Sequence, residues 1–138
     1  MAARILVHSL AEANAALDAA SALKLPVTLA SVPGAAGHAG PAWFKSLVEQ
    51  AAARHPGVAM DAVLDCGAEA GTALAALRLG LKRVGFSGPE AARARLGEIA
   101  RALGGEVESA APGPALDLRG RKNKLAAARA YLAGETVT

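Results

Sequence analysis

Short runs of branched apolar residues alternate along this chain with longer alanine- and leucine-rich stretches, and that alternation limits the fold more than any other feature. "RILVH" at Arg4–His8 reads as a first strand. Ala11–Lys24 follows as a helix, with Leu10, Ala13, Leu17 and Ala20 spaced along one face. Val27–Ser31 is a second strand and Pro41–Arg54 a second helix, its Phe44, Leu47, Val48 and Ala51 recurring at helical spacing. Asp61–Asp65, Lys82–Phe86 and Glu106–Ser109 continue the strands. Ala70–Leu79, the segment from Pro89 to Leu103, and Asn123–Ala133 continue the helices. "APGPALDLRG", between the fifth strand and the last helix, reads as irregular.

Strands joined by helical crossovers predict a parallel sheet covered on both faces. The expected fold is a three-layer α/β/α sandwich around a five-stranded, mainly parallel sheet. Its expected strand order is the flavodoxin-like 2-1-3-4-5, with the Rossmann-like 3-2-1-4-5 as the alternative. At 138 residues one domain over 1–138 is expected, large enough to bury a core without staples. Hydrophobic residues make up 53% and aromatics only 3%, so that core is built from close-packed helices and Leu, Val and Ile strands.

The lone Cys66 excludes an internal disulfide and a tetrahedral cysteine site, and no metal site is expected. The net charge of +3 is mild and the few aromatics are scattered, so nucleic acid is not an expected partner. No apolar run reaches the roughly eighteen residues of a membrane span, and a cytoplasmic protein is expected.

In open parallel sheets, ligands bind beyond the carboxyl ends of the strands. His8 and Ser9 stand there after strand one, Ser31 after strand two, Asp65, Cys66 and Gly67 after strand three, and Ser87 and Gly88 after strand four. The connection "ASVPGAAGHAGPAWF" at 30–44 is the centre of the functional case. Gly34, Gly37 and Gly40 admit backbone conformations closed to other residues, so successive N–H groups could cradle an anion ahead of a helix N-terminus. His38 could carry a proton near neutral pH. The other reading is a glycine-rich turn that places the Trp43 helix. The spacing matches neither a Walker loop nor the dinucleotide fingerprint, so ATP, GTP and NAD are not supported and the cofactor is unknown.

Asp65 reads as a general base, a metal ligand, a phospho-acceptor or a helix cap. Its place at the end of strand three is similar to that in response-regulator receivers. Strand one, however, ends in His8-Ser9 where receivers carry an acidic pair, and "APGP" stands where they carry a lysine. Cys66 reads as a nucleophile activated by His8 or His38, or as a small buried residue. Asp65, Cys66 and His38 are thus the catalytic candidates. "RVGFSGPE" at 83–90 resembles the strand-to-loop phosphate turns of aldolase-type (β/α) barrels over Gly85, Phe86, Ser87 and Gly88. That resemblance implies an anion held by the Ser87 hydroxyl and the Gly88 N–H. The plain alternative makes Ser87 and Gly88 the start of a helix.

Arg119, Arg121, Lys122 and Lys124 crowd the start of the last helix, against its dipole. They call for an anionic partner or a solvated segment. His55 is placed to meet the end of the second helix. Alanine faces such as "AAARAYLAG" suit contacts between copies, with a homodimer the default. The expected function is binding of a small phosphate- or carboxylate-bearing metabolite, with or without catalysis. The alternative is an interaction or scaffold module that assembles through its small-residue faces.

Overall fold

Each of the five apolar runs becomes a strand and each alanine-rich stretch a helix in the computed structural model, which describes residues 2–32, 39–109 and 114–137. In chain order the elements are β1 (Ala3–Leu6), α1 (Leu10–Leu23), β2 (Val27–Ala30), α2 (Pro41–Arg54), β3 (Met60–Asp65), α3 (Ala70–Arg78), β4 (Arg83–Phe86), α4 (Glu90–Ala102), β5 (Glu106–Ser109), β6 (Leu116–Asp117) and α5 (Lys124–Leu132). The sixth strand corrects the expected five. It lies inside "APGPALDLRG", and two residues are too few to show a strand period in the sequence.

The sheet is mainly parallel, with hydrogen-bonded order β5-β4-β3-β2-β1-β6. This corrects both expected orders, which place β1 between β2 and either β3 or β4. Here Ala3–Leu6 of β1 align with Val27–Ala30 of β2, and Ile5 and Leu6 align on the other side with Leu116 and Asp117 of β6. The late strand takes the edge of β1 that those orders give to an earlier one.

The chain divides into two compact units. The first comprises Met1–Ala30, Leu47–Asp61 and Pro114–Thr138. In it α1 packs against β2 and α5. That double cover buries Ala13, Ala16, Leu17, Ala19 and Ala20, a broader face than the single stripe expected. Ala127 and Ala128 of α5 are buried too, and side chains this small let helix axes approach closely.

The second unit comprises Ser31–Ser46 and Ala62–Gly113. α3 packs on β4 and α4, and α4 on β5. Phe44, Leu64, Leu77, Val84 and Phe86 form its buried centre, with Leu96 and Ala100 from α4. Leu103, the last residue of the helical segment read from the sequence, is 45% exposed and caps α4, its N–H bonding the Ile99 and Ala100 carbonyls. Arg83 ties β4 to β5 through Glu106 (3.0 Å) and Glu108 (2.9 Å), and these charges on β5 suit a sheet edge. Among the described residues, no helix is long and apolar enough to cross a membrane.

Candidate functional site

Gly34, Gly37 and His38 lie outside the described residues. Gly40 is described and takes a left-handed φ of +83° immediately before α2. Nothing lies within 4 Å of where its Cβ would be, so backbone conformation alone calls for glycine.

The second unit brings Ser31, Asp65, Cys66, Gly67 and Ser87 together at the carboxyl ends of β3 and β4. The Ser31 hydroxyl accepts the Asp65 N–H at 2.9 Å. Asp65 is buried, and its Oδ1 accepts the Gly67 N–H at 2.8 Å, the local turn typical of aspartate. Cys66 N–H donates to the Gly85 carbonyl and Ser87 N–H to the Gly67 carbonyl, both at 2.8 Å. These bonds lace the two strand ends into one rim.

Asp65 does not cap α3. That helix begins after Glu69 with no side-chain cap bond. Cys66 is buried, its Sγ 3.7 Å from the Leu64 carbonyl. Burial, with the neighbouring Asp65 charge adding to it, pushes the thiol up to about 12. It is therefore protonated near neutral pH and fills space as a small apolar residue does.

Of the glycines in "GFSG", Gly88 serves packing. A Cβ at Gly85 would sit 3.6 Å from Asp65 Oδ2, an ordinary contact distance that a small side chain tolerates. A Cβ at Gly88 would lie 2.9 Å from Cε2 of the buried Phe86 ring, so no larger residue fits. Ser87 between them is exposed. Neither its hydroxyl nor the Gly88 N–H has a hydrogen-bond partner among the described residues. α4 then starts after Pro89 with no side-chain cap bond. By contrast α1 is capped by Ser9 and α5 by Asn123. The free N–H groups of α4 and its dipole therefore stay available to an acceptor, with Glu90 in the first turn as the local negative charge.

His8 and Ser9 belong to the first unit. Ser9 Oγ accepts the Glu12 N–H at 3.2 Å, and the buried Glu12 carboxylate returns to accept the His8 N–H at 2.8 Å. His8 Nε2 lies 2.7 Å from Asp117 Oδ1. That oxygen also accepts the Arg119 N–H at 2.9 Å. Burial works against the Asp117 charge, but the Arg119 N–H and the His8 ring outweigh it and hold the carboxyl below its usual range. Glu12 and Asp117 went unseen as partners of His8 in the sequence. The "S-x-x-E" of Ser9 and Glu12 could have shown the first, as it marks a capping box.

The basic segment is partly used locally. Lys124 Nζ donates to the Arg121 carbonyl at 3.0 Å, and Asn123 supplies the cap. A cavity of about 580 Å³ opens beside Arg121, Lys122, Asn123 and Val137, so two residues of the basic segment line it. Among the described residues, no three His, Cys, Asp or Glu side chains group to hold a metal ion.

No protein-family model matches the sequence, and no curated protein matches it. Among solved structures, a candidate fructose-1,6-biphosphate aldolase from Coccidioides immitis is similar in fold, with a TM-score of 0.63 and 19% identity. The match covers 78% of this chain and 40% of that one, so the chain spans about two-fifths of that protein's length.

Proposed function

We propose that the second unit binds a small anion, phosphate- or carboxylate-bearing, at the carboxyl ends of β3 and β4. One observation carries the reading. The exposed Ser87 hydroxyl and the Gly88 N–H have no hydrogen-bond partner among the described residues, and they lead into a helix that starts without a side-chain cap. A hydroxyl, a loop N–H and the first N–H groups of α4 make a donor set for a tetrahedral or planar oxyanion. Ligands of parallel α/β sheets sit at this edge. Gly34, Gly37, His38 and Gly40 remain candidate ligands of that anion. Asp65 on the rim is the group placed for proton transfer, and Cys66 is its buried wall.

Titration of the 15N-labelled chain with inorganic phosphate tests the reading. The amide signals from Ser87 to Ala92 are expected to shift, and the melting temperature to rise as phosphate exceeds its dissociation constant. Ser87→Ala should weaken binding about tenfold, the loss of one hydrogen bond to a charged group. Glu90→Gln should strengthen it by removing a like charge. A well-folded chain that no phosphorylated or carboxylated metabolite stabilises rejects the proposal.

A second reading is a non-enzymatic module that assembles with its own copies in the way a homodimer does. Leu79 and Leu103, the residues that cap the C-terminal ends of the packed helices α3 and α4, favour it, at 43% and 45% exposed. The alanine faces do not: Ala73, Ala76, Ala127 and Ala128 are buried within their own units. A strictly monomeric mass in solution removes this reading.

A further inference from the structure

Two histidines of this chain meet an aspartate, and the difference lies at the second ring nitrogen. In His55, Nε2 meets Asp18 Oδ1 at 2.6 Å and Nδ1 meets the Ala51 carbonyl at 2.9 Å, so both nitrogens are engaged. In His8, Nε2 meets Asp117 Oδ1 at 2.7 Å, while Nδ1 has no hydrogen-bond partner among the described residues. An ionised carboxylate only accepts, so the Asp117 contact places the hydrogen of the neutral ring on Nε2 and leaves a lone pair on Nδ1. The His8 backbone is pinned by Glu12, and the ring is 20% exposed. Both residues stand at the carboxyl edge of paired parallel strands, β1 and β6.

We propose that His8 and Asp117 form a proton-transfer dyad, in which His8 Nδ1 takes the proton of a hydroxyl group, water or a substrate alcohol, and Asp117 is the positioning residue. The O–H bond breaks as Nδ1–H forms, and the electron pair stays on oxygen for attack on an electrophilic carbon. Asp117 offsets the imidazolium charge, and the proton then passes to the departing oxygen or to bulk water. Asp117 from β6 meets the ring, Glu12 from α1 accepts the His8 backbone N–H, and the Arg119 charge lies near Asp117. The dyad shares no residue with the proposed anion site, so either can fail alone.

Hydrolysis of p-nitrophenyl acetate by the full chain is a suitable probe. Water attacks the acetyl carbon, and acetate and p-nitrophenolate are released. The expected rate exceeds that in buffer alone. His8→Gln, whose amide can still donate to Asp117, should cut the rate roughly 100-fold. Asp117→Asn should lower it less, through kcat with KM unchanged, and Asp117→Glu, which keeps a carboxylate acceptor, should recover part of the loss, as a merely structural contact would not. 15N spectra of the native chain, independent of any variant's folding, should show the neutral ring protonated on Nε2. A rate unchanged in His8→Gln, no rate above buffer, or a neutral ring protonated on Nδ1 overturns the proposal.

Discussion

His55 holds two acceptors at once, and an imidazole can satisfy both only by carrying two protons. Burial alone would lower its pKa, but the Ala51 carbonyl and the Asp18 carboxylate outweigh that and raise it above the ordinary 6.5. A folded-state pKa above the unfolded one means stability that is fully present below 6.5 and lost as the pH rises through the raised value. The melting temperature of the native chain should therefore fall towards that of His55→Gln over this window, and the gap between them should be widest in mild acid. Thermal melts of both proteins across neutral pH check it. At this scale the sequence was partly legible. The placing of His55 at the end of the second helix follows from "ARHPG" alone. The role of Gly88 did not, because it depends on one particular neighbour, the ring of Phe86 two residues back. The Asp117 partner of His8 lies 109 residues away, and no local pattern announces such a pair.

Helices were the most legible elements, since their period repeats over several turns. Pro41–Arg54 begins and ends where the spacing of Phe44, Leu47, Val48 and Ala51 and the "HPG" stop predict. β6 was not, since two residues have no period and are strand only because β1 offers them an open edge. Alanine content suits both close packing and contacts between copies, and between α1 and α5 much of it is internal packing. That contact gives a direct expectation. Ala128 is fully buried, so Ala128→Leu has no room and should cost about 1–3 kcal/mol, while the same change at exposed Ala133 should cost little. Urea unfolding of the two variants makes the comparison.

For the whole molecule, the βα alternation predicts the class of fold and a parallel sheet, and both are present. Strand order is another matter. Alternation says that strands are connected through helices; it does not say on which side of its predecessor each strand settles. Here β1 to β5 settle in sequence, and only the last strand returns to β1. Within the second unit the sole cysteine offers a use unrelated to chemistry. With its pKa near 12, only about one molecule in ten thousand is a thiolate at pH 8 while the fold is closed. Iodoacetamide should then modify Cys66 only in molecules that have opened. The labelling rate should climb with urea well before helicity is lost if the unit breathes locally, and together with it if the chain opens all at once.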